Sequence, residues 1–454
     1  MGDTRKPRNS GLFATTEGMP SRRHLLGMAA ASPLVAGLLT SAAAPARAEK
    51  LKTKAHIVIV GGGLGGIAIA NRLSCQLDGA RLTLIDRKEE HNYQPGYTLV
   101  GTGIWPVEKV INQNTEYHPD GLNWIKDMAA EFDPPANTVT TVSGQKVHYD
   151  YLVVATGTHQ DWSLIEGMDV QAIGSNGLAS VYPSPQAAVN TWKAMQAFTA
   201  KGGEAVMTLP ATPLKCAGAP LKLTFMVRDR LLQAGTLSKS KVTFHSAVKN
   251  VFGVKAVNDN VLERWAKLGI DVAYQHRLKA VDIGGRKATF AVPDAPDLVV
   301  PYDFLHAVPP MRAPDAVRNS LLAVQTGPMA AGGWLDVDKS TLQHKRFPNV
   351  FGVGDVNGTP RGKTAATIKK SAPIVANNLV EVIAGRQAAE QFDGYTSCPL
   401  LIREGSALLI EFDYEGRLVP SLPGIEPLQD SFLAWLMKVR MLKPAYISVL
   451  KGRV

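Results

Sequence analysis

The stretch HIVIVGGGLGGIAIANRL, residues 56–73, decides the fold of this chain. Its first five residues form a continuous run rich in β-branched residues, which predicts a buried strand. Gly61, Gly63 and Gly66 follow with G-x-G-x-x-G spacing, and the apolar residues after them predict a helix. The first glycine makes the tight turn, the second admits a pyrophosphate to the backbone, and the third packs helix against strand. The stretch therefore predicts a dinucleotide-binding unit whose helix N-terminus faces the phosphates.

A correctly placed acid makes this prediction more specific. A second strand pattern, residues 81–85, ends at Asp86, twenty residues after Gly66. A carboxylate at this position can accept hydrogen bonds from a ribose diol. We therefore predict that Asp86 binds the ribose of the dinucleotide.

Two later strand patterns end in residues that resemble known motifs. Residues 151–157 read YLVVATG, and residues 349–355 read NVFGVGD. The ordered pair resembles the A-T-G and G-D motifs of flavoproteins with two dinucleotide-binding domains. The resemblance implies FAD as the cofactor, with Asp355 bonded to the flavin ribityl chain.

The segment between these motifs contains a third strand pattern without a glycine loop. Residues 203–209 read GEAVMTL and run into Pro210, Ala211, Thr212 and Pro213. Proline has no N–H to offer, and without glycine a pyrophosphate cannot approach the backbone closely. We therefore expect that neither NADH nor NADPH is a substrate.

Cys216 lies in the loop that follows, TPLKCAGAP, residues 212–220. Lys215 beside it would favour a thiolate, and a helix expected from Leu221 would add to that effect. A reactive thiolate and a buried structural cysteine both remain open on these residues alone. We expect Cys75, in the first predicted helix, to be a packing residue.

Several stretches resemble the sulfide:quinone oxidoreductases, especially the subclass that includes the mitochondrial enzymes. The likeness runs from about His56 to the C-terminus, and flavocytochrome c sulfide dehydrogenase flavoproteins resemble the chain more distantly. It implies two-electron oxidation of sulfide by two cysteines flanking FAD, with electrons passed to ubiquinone at a membrane surface. The stretches are HNYQPGYTLVGTGI (91–104), PATPLKCAGAP (210–220), VPPMRAPD (308–315), GWLDVDKSTLQHKRFPNVFGVGD (333–355) and FDGYTSCPL (392–400).

One departure from the family changes the expected chemistry. The resemblance implies a partner for the C-A-G-A-P cysteine just after the G-D motif, where this chain has Val356, so we expect the usual cysteine pair to be absent. Cys398 lies in a segment that the family shares, so we do not expect it to replace that partner. Lys363 resembles the residue near the flavin pyrimidine ring, where a cation would stabilise reduced flavin. A surface lysine at a helix start is the alternative.

The composition indicates the class of the protein, and the N-terminal sequence indicates where it is located. The chain has 454 residues, 45% hydrophobic and 19% charged, which indicates a globular protein of two or three domains. Arg22 and Arg23, an apolar run to about residue 43 and Ala46-Arg47-Ala48 predict a twin-arginine signal peptide; an ordinary secretory signal is the alternative. The net charge of +10 falls to +6 without residues 1–48, which fits an anionic lipid surface or an acidic partner. No basic stripe interleaved with aromatic residues indicates nucleic-acid binding.

The C-terminal tail is predicted to be helical, apolar and basic. The stretch is SFLAWLMKVRMLK, residues 431–443. One helical face carries Phe432, Trp435, Leu436 and Val439, and Lys438 and Arg440 lie elsewhere. Such a helix can lie in a membrane interface, or it can pack on its own domain.

These observations lead to one set of predictions. The fold class is α/β, with two Rossmann-like dinucleotide-binding domains and a C-terminal α/β tail region. The expected function is exported, periplasmic oxidation of sulfide or a related sulfur compound, passing electrons through FAD to quinone. The alternatives are donation to a c-type cytochrome, or a sulfur-binding flavoprotein of low turnover; a homo-oligomer is left open. The predicted segments are 1–48 (signal peptide), 49–165 and 316–385 (FAD-binding domain), 166–315 (inserted domain) and 386–454 (membrane- or quinone-facing region). The predicted catalytic residues are Cys216 and Lys363, and the predicted cofactor-binding residues are Gly61, Gly63, Gly66, Asp86, Ala155, Thr156, Gly157, Asp355, Lys363 and Thr364.

Overall fold

The computed structural model describes residues 49–454, so the predicted signal peptide lies outside the described residues. Short strands and helices alternate along this part of the chain. The strands are β1 Leu51–Lys52, β2 His56–Val60, β3 Leu77–Asp78, β4 Arg81–Ile85, β5 Glu90–Asn92, β6 Ile111–Gln113, β7 Asn123–Ile125, β8 Ala129–Asp133, β9 Thr138–Thr141, β10 Lys146–His148, β11 Tyr151–Val154, β12 His159–Gln160, β13 Leu178–Ala179, β14 Glu204–Leu209, β15 Lys241–Ser246, β16 Ile270–Tyr274, β17 Arg277–Asp282, β18 Lys287–Ala291, β19 Leu298–Pro301, β20 Phe304–His306, β21 Met311–Arg312, β22 Val350–Gly352, β23 Thr396–Arg403 and β24 Ser406–Phe412. The α-helices are α1 Leu64–Gln76, α2 Tyr97–Val100, α3 Pro185–Thr199, α4 Ala219–Gln233, α5 Lys255–Leu268, α6 Asp315–Arg318, α7 Ala365–Ile383, α8 Phe432–Leu436 and α9 Leu442–Leu450.

The first sheet has five parallel strands in the order β22-β11-β2-β4-β7. The strands β2, β11 and β22 are almost wholly buried because their apolar side chains face covering elements on both sides, as parallel sheets require. Since β22, β11 and β2 are neighbours, their carboxyl ends meet at one edge. That edge brings together the glycine loop, the A-T-G residues and the G-D residues, although they come from distant parts of the chain.

The second sheet has the order β13-β20-β14-β15-β16, and all its strands are parallel. Its strands lie between residues 178 and 306. The predicted strand of residues 203–209 is observed as β14 at the centre of this sheet. Two Rossmann-like parallel sheets confirm the predicted α/β fold.

The two chain segments that link the sheets, which contain β12 and β21, are hydrogen-bonded to each other. β12 pairs antiparallel with β21. Arg312 Nε donates a hydrogen bond to Asp161 Oδ2 over 2.7 Å, and both side chains are mostly buried. This pairing fixes the segment around Met311 beside the loop that carries Cys216.

The C-terminal region consists of the hairpin β23–β24 followed by α8, one π-helical turn at Met437–Met441 and α9. The predicted helix is observed, but the prediction that its apolar residues share one face is wrong. Phe432 is 64% exposed, whereas Val439 is 4% exposed and Lys438 only 2%. A π-helical turn adds a residue to one turn, so side chains beyond it rotate away from the positions that a regular α-helix gives them. Among residues 49–454, no helix is both long and apolar enough to cross a membrane.

Candidate active site

The glycine loop has the conformation that the sequence predicts. Gly61 has a φ of 109°, and a Cβ there would lie 2.3 Å from the carbonyl oxygen of Ala155. A Cβ on Gly66 would lie 1.9 Å from the oxygen of Gly61, so only glycine permits this packing. A Cβ on Gly63, which precedes α1, would meet nothing within 4 Å. The loop therefore leaves open space at the helix N-terminus, where a pyrophosphate is expected.

Asp86 supports this loop directly. Its Oδ2 accepts a hydrogen bond from the backbone N–H of Gly62 over 2.6 Å, and its Oδ1 accepts one from Lys88 N–H over 2.7 Å. A carboxylate has about four lone-pair positions, so acceptor capacity remains for a ribose diol. Asp86 thus shapes the loop, a role that the sequence did not predict, and it stays the predicted ribose ligand.

Two buried oxygen atoms lie without a partner at the same edge of the sheet. Thr156 Oγ1 and Asp355 Oδ1 are buried and make no hydrogen bond to any residue between 49 and 454. Unpaired buried acceptors are costly, which indicates a missing partner. Burial raises the pKa of Asp355, although the ammonium groups of Lys363 and Lys215 oppose the shift. The open glycine loop and these atoms fit FAD, and Gly63 and Asp355 stay the predicted contacts of its pyrophosphate and its ribityl chain.

Lys363 is buried, so the alternative of a surface lysine is wrong. Its Nζ donates to the backbone oxygens of Asp355 and Asn357 over 2.6 and 2.9 Å, and it lies 3.6 Å from the Trp334 ring centroid. Burial lowers the pKa of Lys363 to about 7, against the opposing effect of the Asp355 carboxylate. The backbone oxygens of Asp355 and Asn357 therefore hold this lysine in the interior, and its position near the flavin pyrimidine ring stays a prediction.

The remaining predicted cofactor residues have clear local roles. The side chain of Thr364 caps α7, because its Oγ1 accepts a hydrogen bond from Thr367 N–H over 3.2 Å. Ala155 packs against Gly61, and Gly157 has a φ of 69°. The contribution of these residues to FAD binding stays a prediction.

The loop of Cys216 has an unusual backbone. Cys216 has a φ of 50°, in the left-handed region that non-glycine residues rarely adopt. Its N–H donates to Lys363 O over 2.9 Å, and its own carbonyl accepts from Ala219 N–H over 2.8 Å. The Tyr182 hydroxyl also donates to that carbonyl, over 3.4 Å. The loop is thereby tied both to the start of α4 and to the segment of Lys363.

Cys216 does have a thiol partner, and this overturns an expectation from the sequence. Cys398 is buried beside the Cys216 loop, the two thiols shift each other's pKa, and neither cysteine forms a disulfide. A Cβ on Gly218 would lie 2.1 Å from Cys398 Sγ, so the glycine of C-A-G-A-P makes room for this second sulfur. Val356, by contrast, is a fully buried core residue. The prediction that Val356 stands at the partner position is therefore wrong.

Sequence reasoning missed Cys398 because 182 residues separate it from Cys216. The two meet because β23 packs against α4 and not because of any local pattern. The signal that could have found it is the shared stretch FDGYTSCPL, which places a cysteine among residues that the resemblance already covers.

Two buried lysines, neither predicted as a site residue, lie beside the sulfur atoms. Lys222 and Lys438 are each 2% exposed. Lys222 Nζ lies 3.6 Å from Cys216 Sγ, and Lys438 Nζ donates to Pro95 O over 2.7 Å. Lys215 was predicted to favour the thiolate, but its ammonium group donates to Gln94 Oε1 over 2.8 Å.

The surroundings shift the pKa values of the two thiols in opposite directions. The neighbouring Cys398 thiol and the positive charges of Lys222 and Lys438 stabilise the ionised form of Cys216, so its pKa lies well below its ordinary value although burial opposes the shift. The neighbouring Cys216 sulfur and burial raise the pKa of Cys398. Although burial opposes it, the nearby sulfur atoms raise the pKa of Lys222. Burial and the charge of Lys222 lower the pKa of Lys438 to about 7. Cys216 is therefore the cysteine of the pair that ionises more readily.

The loop after β14 is filled by protein and not shaped for a phosphate. Thr212 Oγ1 accepts a hydrogen bond from Met311 N–H over 2.8 Å, and Lys215 N–H contacts Met311 Sδ at 3.4 Å. The third cysteine, Cys75, is exposed on α1, so its predicted packing role is wrong.

Comparisons with known proteins agree with this geometry. A family model described as pyridine nucleotide-disulphide oxidoreductase matches residues 55–199. The mitochondrial sulfide:quinone oxidoreductase of Mus musculus is 35% identical over 401 residues, which cover 87% of this chain and 86% of that protein. The corresponding protein of Dictyostelium discoideum is 35% identical over 408 residues, 89% of this chain and 88% of that protein. The solved sulfide:quinone oxidoreductase of Aquifex aeolicus has the same fold, with a TM-score of 0.71 at 24% identity over 88% of this chain and 92% of that one.

Fold and site together define an FAD-dependent oxidoreductase with two Rossmann-like domains. Within that class, the identity to the curated relatives extends over most of both chains and is high enough to assign a family. The chain belongs to the sulfide:quinone oxidoreductase family.

Proposed function

We propose that this protein oxidises sulfide with the cysteine pair Cys216–Cys398 and passes the electrons through FAD to a quinone. The observation that carries the proposal is a second free thiol beside the Cys216 loop, together with Lys222 Nζ 3.6 Å from the Cys216 sulfur. The relatives named above as sulfide:quinone oxidoreductases support the choice of substrate and acceptor.

The charges favour a defined order of bond changes. When the pair is a disulfide, hydrosulfide attacks the Cys398 sulfur, a persulfide forms there, and Cys216 leaves as the thiolate. Lys222 and Lys438 stabilise that leaving group because both ammonium groups lie beside it in a buried site. A nucleophilic sulfur acceptor, such as sulfite or a low-molecular-weight thiol, then takes the outer sulfur atom from Cys398 and leaves both cysteines reduced. FAD, when bound, would supply the two-electron oxidant that restores the disulfide, and the electrons would pass on to the quinone. Cys216 is the cysteine tied to a predicted cofactor residue, because its N–H donates to the Lys363 carbonyl over 2.9 Å.

The C-terminal region favours a membrane-borne acceptor. Phe432, Leu433 and Met441 are 64, 51 and 55% exposed, and the rings of Phe432 and Trp435 stack at 5.6 Å. Exposed aromatic and aliphatic side chains on a terminal helix can enter a lipid interface, where quinones dissolve. Export to the periplasm rests on residues 1–48 alone, and fractionation of cells that produce the full chain tests it.

The deciding experiment is sulfide-dependent reduction of a short-chain ubiquinone by the purified FAD-loaded protein, followed by absorbance. A c-type cytochrome is offered as acceptor in a parallel assay. We expect rapid quinone reduction that requires sulfide. Reduction of the cytochrome alone would favour the alternative acceptor, and no reduction of either would contradict the proposal. The low-turnover alternative loses its basis, since it rested on a missing second thiol.

A further inference from the structure

A surface groove lies along the second half of α4, away from the cysteines. It has a volume of about 220 Å³ and is lined by α4, α5, the end of β23 and Asp430. Phe225, Arg228, Asp229 and Leu232 face it from α4, because positions three and four apart share one side of a helix.

The floor and one rim of the groove are apolar. Phe225 and Ile402 are 1 and 7% exposed and form its base, together with Leu268. Leu232 stands at the rim and is 53% exposed. An occupant with an apolar body would cover this side chain and gain from its removal from water.

The charges around the groove leave one cation uncompensated. Four basic side chains and two carboxylates line it: Arg228, Arg264, Lys267, Arg403, Asp229 and Asp430. Asp430 lies 2.5 Å from Arg264 and 4.0 Å from Arg403, and Lys267 pairs with Glu263 at 2.6 Å. Asp229 Oδ2 accepts hydrogen bonds from Gln233 Nε2 over 3.0 Å and Glu404 N–H over 3.1 Å.

Arg228 is the exception among these groups. It makes no hydrogen bond or ion pair with any residue between 49 and 454, and its Nε is buried without a partner. A buried N–H donor without an acceptor is costly, so a bound acceptor would recover that free energy.

We propose that this groove binds a small organic carboxylate, with the carboxylate on Arg228 and the apolar body over Phe225, Leu232 and Ile402. A guanidinium group presents two parallel N–H donors that match a carboxylate. The volume is below that of pockets for drug-sized ligands, so the occupant is a compact molecule. The ligand would bridge α4 and β23, the two elements that carry Lys222 and Cys398, although the proposal does not depend on the sulfur chemistry.

Calorimetric titration of the FAD-loaded protein with phenylacetate tests the proposal. Acetate, which lacks the apolar body, and 2-phenylethanol, which lacks the charge, serve as matched probes. We expect phenylacetate to bind at least about tenfold more tightly than either one, because both halves of the groove contribute. Equal binding of the three probes, or no binding of phenylacetate, would overturn the proposal.

Variants locate the binding site. Arg228→Gln and Leu232→Ser should each weaken phenylacetate binding about tenfold, whereas Arg277→Gln, an exposed arginine on β17, should leave it unchanged. Thermal unfolding of each variant checks its fold. Undiminished binding by Arg228→Gln, or an equal loss in Arg277→Gln, would place phenylacetate elsewhere and refute the site. The titration of the unaltered protein with the three probes does not depend on the variants, so it tests the proposal even if a variant does not fold.

Discussion

At the scale of single residues, the backbone of Cys216 shows what holds the site in place. A non-glycine residue in the left-handed region costs about 1–3 kcal/mol, and such strain persists only where neighbouring contacts enforce it. Here the carbonyl of Lys363, the N–H of Ala219 and the hydroxyl of Tyr182 enforce it. The enforced turn places the sulfur atom next to Lys222 and Cys398.

Replacing Lys222 should change the ionisation of Cys216. In Lys222→Met we expect the pKa of Cys216 to rise by about one unit, because a buried positive charge that stabilises the thiolate is gone. Its alkylation by iodoacetamide, followed as loss of activity, should then require a higher pH. The exposed Cys75 is first changed to serine, so that it does not compete for the reagent.

Lys255→Met is the matched control, since the Lys255 side chain is 89% exposed on α5. It should leave the pH profile of alkylation unchanged. An unchanged profile in Lys222→Met as well would show that this lysine does not act on the sulfur.

Removal of Cys398 should stop sulfide oxidation. Cys398→Ser leaves Cys216 without a thiol partner, so we expect quinone reduction by sulfide to fall at least about a hundredfold while FAD stays bound. Val356→Cys should give no gain in activity, because Val356 is a fully buried core residue. Activity and the flavin spectrum are measured together. A Cys398→Ser protein that works at the parental rate would contradict a role for the pair.

At the scale of elements, the sequence predicted every strand that positions the cofactor site. Buried strands such as β2 and β11 are short apolar runs, and the motifs follow them directly, so local pattern is sufficient. The contact of Cys216 with Cys398 and the inward position of Lys438 depend on how β23 and the C-terminal helices pack. Local pattern carries no such information, and the π-helical turn at Met437–Met441 further breaks the helical period.

The loop after β14 should exclude nicotinamide nucleotides. Its prolines offer no N–H, and Thr212 already binds Met311 N–H. We expect NADH to reduce the flavin at least about a hundredfold more slowly than sulfide does, in a stopped-flow measurement of flavin absorbance. Comparable rates for the two reductants would show that a nucleotide site exists despite this loop.

At the scale of the whole molecule, the exposed apolar residues of α8 should control membrane binding. Phe432→Ser combined with Leu433→Ser should lower binding to anionic liposomes about tenfold or more, because two side chains no longer enter lipid. Flotation of the protein with liposomes measures this. The double variant Leu298→Ser and Val299→Ser, on residues 40 and 53% exposed, is the matched control. An equal loss of liposome binding in both double variants would contradict the prediction, because any exposed apolar residue would then contribute as much as those of α8.

The two buried lysines also set the oxidising power of the cysteine pair. Lys222 and Lys438 stabilise a thiolate, which exists only when the pair is reduced. Their positive charges do not stabilise the disulfide in the same way, because the disulfide is neutral. Stabilising the reduced form raises the reduction potential of the disulfide, so the pair becomes a stronger oxidant toward sulfide. Each unit of pKa lowering corresponds to about 30 mV for two electrons. Lys222→Met should therefore shift the potential of the pair about 30 mV more negative in a redox titration against glutathione, and an unchanged potential would show that the charge does not reach the sulfur atoms.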